Sequence, residues 1–175
     1  MSEPQANEAV LDNLIVLENL QRKFGEAIFD IVEPYGLLTV TTSRGNILAV
    51  IQYLYDHEFM QFQFLTTLCG VHYPDNKGKE LGVVYHLHSL IHNVRVRIKV
   101  FFPIEDPVMP TLTNLFETAN WMEREAWDFY GIKFEGHPNL IRILNMEDID
   151  FFPLRKEFPL EDPTRVDKVD TYFGR

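Results

Sequence analysis

Residues 93–101, NVRVRIKVF, constrain this chain more than any other stretch, because Val94, Val96, Ile98 and Val100 alternate with Arg95, Arg97 and Lys99. Side chains of a strand point alternately to its two faces. One face of this strand is therefore core and the other basic and wet, as in an antiparallel sheet covered on one side only. Residues 81–89 (LGVVYHLHS) provide the other half of a hairpin. Residues 37–42 (LLTVTT) and 62–73 (FQFLTTLCGVHY) read as further strands, and PDNKGKE (74–80) as a turn. Asn46 to Tyr55 places Ile47, Val50, Ile51 and Leu54 on one helical face. Glu8 to Phe24 does the same with Val10, Leu14, Leu17 and Leu20, and Gly25 can end that helix. Three prolines make 103–110 (PIEDPVMP) a loop. A last helix follows from Thr111 to Tyr130, with Leu112, Phe116, Ala119, Met122, Ala126 and Phe129 as its apolar stripe and Gly131 at its end. The expected fold class is α+β: a two-layer domain over residues 1–132, with a mixed or antiparallel sheet and flanking helices.

Residues 133–175 follow other rules. Pro138, Pro153, Pro159 and Pro163 forbid a long helix and remove ladder donors. Yet Leu140, Ile143, Leu144, Ile149, Phe151, Phe152, Leu154, Phe158 and Leu160 give the stretch an apolar content that needs a surface to cover. It either folds back on its own domain or lies as an extended arm on a partner chain. The arm is the favoured expectation for at least part of it.

Composition excludes several classes. The 175 residues carry a formal net charge of −10. That sum opposes binding to nucleic acid, which needs a positive surface to displace counterions. No apolar run reaches the length that spans a bilayer, and MSEPQANEAV does not resemble a secretory signal, so a soluble, cytoplasmic chain is expected. Cys69 is the only cysteine, so no intramolecular disulfide, thiolate zinc site or iron–sulfur cluster can be built from this chain's own cysteines. In its apolar strand it is expected to be a buried small hydrophobe. GxGxxG, GxxxxGK[ST] and G-x-S-x-G motifs are missing as well.

Two constellations remain. His86 and His88 share a strand face, with His72 and His92 nearby, and could chelate a metal; a polar, half-exposed strand face is the plainer reading. Glu123, Arg124, Glu125 and Asp128 crowd the end of the last helix. Arg124 and Asp128 stand i,i+4 and can pair, while Glu125 and Asp128, with His137, could be read as acid/base groups of an enzyme. Trp121, Trp127 and Tyr130 surround these charges, a composition typical of interfaces.

The run EREAWDFYGIKFEGHPNLIRIL (123–144), followed by FPLRKEFPL (152–160), resembles the signature of one family, the cluster-free peripheral-arm subunit (lettered C) of bacterial respiratory complex I, NADH–quinone oxidoreductase. The resemblance is carried by Glu123, Arg124, Glu125, Asp128, Gly131, Gly136, His137, Pro138, Arg142–Leu144, Pro153–Lys156 and Phe158–Leu160. Ile141 departs from the family's second basic residue before R-I-L, and Phe151–Phe152 replaces a frequent Gly-His. The resemblance implies a cofactor-free, non-catalytic subunit of the peripheral arm, at the cytoplasmic face of the inner membrane. FMN and iron–sulfur clusters would sit in partner subunits, and membrane contact would come only through the complex. It implies docking on the large quinone-site subunit, lettered D, beside iron–sulfur subunits. Glu123, Arg124, Glu125, Asp128, His137, Arg142, Arg155 and Lys156 become candidate interface residues, with the two arginines of the arm and the lysine anchoring it to the partner. Related modules in membrane-bound hydrogenases and ferredoxin- or coenzyme-dependent dehydrogenases are the alternative.

Overall fold

The computed structural model describes residues 11–158. In chain order it contains α1 (Asn13–Phe24), β1 (Ile28–Val32), β2 (Leu38–Thr42), α2 (Ile47–Asp56) and β3 (Phe64–His72). Then come β4 (Leu81–Ser89), β5 (Val94–Phe102), β6 (Val108–Pro110), α3 (Ala119–Tyr130) and β7 (Lys133–Glu135). The large sheet has the order β1-β2-β5-β4-β3. Only β2 and β5 run parallel in it; the other neighbours are antiparallel. The α+β expectation is met, with a mixed sheet.

The hairpin forms as its alternation dictates. Val96, Ile98 and Val100 of β5 join Val83, Tyr85 and Leu87 of β4 in one buried cluster. Val16 and Leu20 of α1, all four anticipated residues of α2, and Ala119 and Ala126 of α3 pack into the same cluster. Alternate positions turn the other way. The register puts Thr39, Arg97, His86 and Thr67 in one row across four strands of the opposite face.

Several expectations are corrected. Helix α1 starts at Asn13 because the Asp12 carboxylate accepts the Ile15 N–H at 2.8 Å, a side-chain N-cap. Its buried stripe is Val16 and Leu20, whereas Leu14 is exposed; Val10 lies outside the described residues. Strand β1 was not anticipated: Asp30 has φ +48°, and the register with β2 slips between Phe29 and Val32, so the alternation breaks there. Cys69 is exposed rather than buried. A register irregularity between Leu65 and Thr67 resets β3, sending Leu68 inward and Cys69 outward. The loop 103–110 ends in a strand, since β6 pairs in parallel with β7. That pairing carries Phe134 into the core, beyond residue 132. Residues 111–118 form turns instead of the first part of α3.

Candidate functional site

Helix α3 carries two acids with no solvent exposure, Glu123 and Asp128. Glu123 falls four residues after Ala119 and three before Ala126, on the buried side of the helix. Its Oε1 accepts the Leu112 N–H at 2.7 Å and its Oε2 the Thr111 hydroxyl at 2.6 Å. Thus the turn after β6 folds over the carboxyl group rather than extending α3. Burial pushes Glu123 up to about 7, although both donors favour the anion. Beside it Tyr85 is fully buried, and its hydroxyl has no hydrogen-bond partner among the described residues. Burial, then the Glu123 charge, pushes that hydroxyl well up.

Asp128 meets the opposite surroundings. Its Oδ1 accepts Arg142 Nη1 at 2.7 Å, and its Oδ2 accepts the N–H groups of Ile143 (3.2 Å), Leu144 (2.9 Å) and Asn145 (2.9 Å). Burial alone would raise Asp128; the Asn145 and Leu144 N–H groups and the Arg142 guanidinium outweigh it and hold the acid well below the usual carboxylate range. Arg142 also donates to the carbonyls of Asp128 and Ile149, and lies over the Trp127 and Phe152 rings. Arg124 does not pair with Asp128 as expected. It stacks over Trp121 and donates to the carbonyls of Ile141 and Arg142. The i,i+4 rule applies to the outer surface of a helix, and Asp128 faces inward.

Further down the chain the contacts continue. The Leu154 N–H donates to the Phe129 carbonyl and Arg155 Nε to the Tyr130 carbonyl, while the Lys156 N–H donates to His72 Nδ1. Phe152 lies against Gly131, whose φ is +75°; a Cβ there would stand 2.5 Å from the ring. His137 closes the intervening turn, with Nε2 on the Asn120 carbonyl and Nδ1 accepting the Asn139 N–H. The described part of the C-terminal segment therefore folds back over its own domain. Arg142 makes three hydrogen bonds inside the chain and Arg155 one through Nε, so both hold to the chain's own fold, where the expectation had them reach to a partner. The Lys156 and Glu125 side chains are exposed, while Pro159 and Leu160 lie outside the described residues.

His72, His86 and His88 of the strands and His92 of the β4–β5 turn do not converge. His86 bonds Thr67 and Arg97, His88 bonds Asn93, His92 bonds the Phe59 carbonyl, and His72 takes the Lys156 N–H. Among the described residues no group of three or more His, Cys, Asp and Glu side chains is placed to hold a metal ion. Glu125 is exposed while Asp128 is sealed, so the two form no acid/base pair. What the site does display is apolar surface. Trp121, Ile141, Leu144 and Met146 are all exposed, on α3 and on the segment clamped to it.

Residues 40–164, which include this whole arrangement, match the family model described as the respiratory-chain NADH dehydrogenase, 30 Kd subunit. The chain belongs to that family. It is 44% identical over 142 residues to the NADH-quinone oxidoreductase subunit lettered C 2 of Rhizobium etli, covering 81% of this chain and 74% of that protein. The C-lettered subunit of the NADH-quinone oxidoreductase of Mycolicibacterium paratuberculosis is 39% identical over 164 residues, 91% of this chain and 70% of the relative. Among solved structures, the trypsin-resistant fragment (1–134) of Nqo5 superposes with a TM-score of 0.61 at 34% identity, covering 73% of this chain and 99% of the fragment. A chain of the membrane-bound sulfane sulfur reductase, an archaeal respiratory membrane complex, has a TM-score of 0.73 at 19% identity, covering 93% and 91%; that likeness shows the fold alone. Among the described residues of this 30 kDa subunit family member, no helix is long and apolar enough to cross a membrane.

Sequence reasoning missed the groups that complete both acid sites: Thr111 and Leu112 over Glu123, and the amides of residues 143–145 over Asp128. One signal was present for the first. An acid spaced i+4 and i−3 from two alanines of the apolar stripe is a buried acid, and a buried acid needs donors.

Proposed function

We propose that this chain is a cofactor-free structural subunit of the peripheral arm of an NADH–quinone oxidoreductase. It docks on the large quinone-site subunit and stands beside iron–sulfur subunits while the assembly passes electrons from NADH to quinone and moves protons. Family membership supports the assembly, and the single cysteine supports the cofactor-free role, since clusters are held by sets of thiolates. The observation that carries the docking role is the Asp128–Arg142 clamp with its exposed apolar rim. A buried ion pair fixes the shape of the segment, and the rim offers Trp121, Leu144 and Met146 to a partner.

The reading is tested with the double variant Trp121→Asp, Leu144→Asp, which alters exposed side chains and leaves the clamp intact. The expected result is a folded chain that no longer co-purifies with the assembly. Normal incorporation of the variant would overturn the docking role. The purified chain is also expected to show no visible absorption.

A further inference from the structure

The open face of the large sheet carries a feature that the docking role does not use. Arg95, Arg97 and Lys99 stand at every second position of β5, a repeat of about 6.8 Å along one face. None of them pairs with a carboxylate among the described residues, although the chain as a whole carries a net charge of −10. Arg97 is held in place: its Nε donates to His86 Nε2 at 2.8 Å, and His86 Nδ1 in turn bonds Thr67 Oγ1 at 2.8 Å. The imidazole is thereby fixed as the neutral Nδ1–H tautomer. Burial, with Arg97 and Lys99 beside it, pushes His86 down and keeps that acceptor available. The two terminal nitrogens of the Arg97 guanidinium stay free of hydrogen bonds among the described residues, a planar fork suited to a carboxylate.

Exposed apolar side chains flank the cations. Phe29 and Val32 pair with Thr41 and Thr39 on the β1 side, and Phe64 pairs with His88 on the β3 side. All three are exposed large hydrophobics. Arginine among exposed aromatic and aliphatic groups is the make-up of a protein interface. We propose that this sheet face binds an acidic, extended segment of a partner protein, whose alternate carboxylates repeat at the spacing of Arg95, Arg97 and Lys99. Like the cations, every second side chain of an extended segment faces one way. The intervening side chains of such a segment are free to meet Phe29, Val32 and Phe64. A long polyanion is disfavoured, because the rest of the chain repels it. The subunit role identifies where such a partner would be found; recognition itself does not depend on it.

The test uses the isotope-labelled full chain titrated with an acetylated decapeptide of alternating glutamate and valine. Separate arms use a block peptide of the same composition, a single-stranded RNA dodecamer and phosphatidylglycerol vesicles. Amide shifts are expected on β4 and β5 with the alternating peptide, and weaker ones with the block peptide. Arg97→Gln should weaken binding about fivefold, the scale of one exposed charge pair. The double reversal Arg95→Glu, Lys99→Glu should abolish it while leaving the circular dichroism spectrum unchanged. No saturable shift on this face, equal affinity in the variants, or tighter binding of RNA or vesicles would overturn the proposal. So would carbodiimide cross-links from Lys99 to a carboxylate of residues 159–175, which would make the chain's own end the occupant. Failure here leaves the docking role standing, because that role rests on Trp121 and Leu144 of α3 and the clamped segment, which none of these variants alters.

Discussion

Glu123 and Asp128 sit five residues apart on one helix and are equally sealed from solvent, yet they are opposites. Glu123 receives two neutral donors and no cation, and burial pushes it up to about 7. Asp128 receives a guanidinium and three N–H groups, and is held far below the usual range. Burial does not decide the charge of an acid; the donors that come with burial do. The two ends of α3 therefore play different parts. The Glu123 end joins the turn after β6 to the helix, and the Asp128 end fastens the C-terminal segment.

Removing the ionic end should have the largest effect. Asp128→Ala leaves Arg142 without its carboxylate, at a cost of about 3–5 kcal/mol. Urea unfolding measures that loss. Hydrogen exchange should show the amides of Ile143, Leu144 and Asn145 released first, since all three donate to Asp128. An equal loss of protection around Leu112 would erase the contrast between the two ends.

The pH dependence comes next, and its sign differs at the two ends. Glu123 binds its proton more tightly folded than unfolded, so its contribution to stability declines as pH rises from 4.5 to about 7. That decline amounts to about 3 kcal/mol. Glu123→Gln, which cannot ionise, should flatten the stability profile across this window. Asp128 runs the other way: its contribution is complete above its unfolded value of 3.8 and is lost as pH falls toward its lower folded value. Asp128→Asn should therefore lower stability throughout the range above 3.8 and remove the decline on the acid side. Chemical denaturation at a series of pH values reads both.

Two smaller substitutions touch one end each. Gly131→Ala forces a side chain into a left-handed backbone conformation and against the Phe152 ring, at a cost of about 1–2 kcal/mol. It should loosen residues 152–156 and leave the Glu123 profile unchanged. Tyr85→Phe removes a buried hydroxyl that lacks a partner among the described residues. It should be neutral or stabilising by up to about 1 kcal/mol, with no effect on the segment. Thermal unfolding of both variants, with exchange on the first, checks this.

The legible parts of the sequence were those with a local rule behind them. The β4–β5 hairpin follows from alternation, and α2 buries Ile47, Val50, Ile51 and Leu54 as its period requires. The illegible parts depend on partners distant in sequence. Strands β6 and β7 have three residues each, one ending in Pro110, and gain their pairing only when α3 brings them together. Asp128 looked like a partner for Arg124 by spacing, but its true partners are fourteen to seventeen residues away. The motif marked Asp128, Arg142 and Arg155, while the contacts they make inside the chain's own fold were not legible. Motif resemblance marked them as a group; only the geometry tells a clamp from a contact.

The central claim is that the clamped segment places partners and does no chemistry. The direct test replaces this subunit with the Arg142→Ala variant in cells that lack their own copy. Assembled NADH–quinone oxidoreductase is then quantified on native gels, together with NADH–quinone turnover per assembled complex. A sharp fall in assembled complex, with unchanged turnover in what remains, is the result expected. Full assembly with reduced turnover per complex would contradict the account.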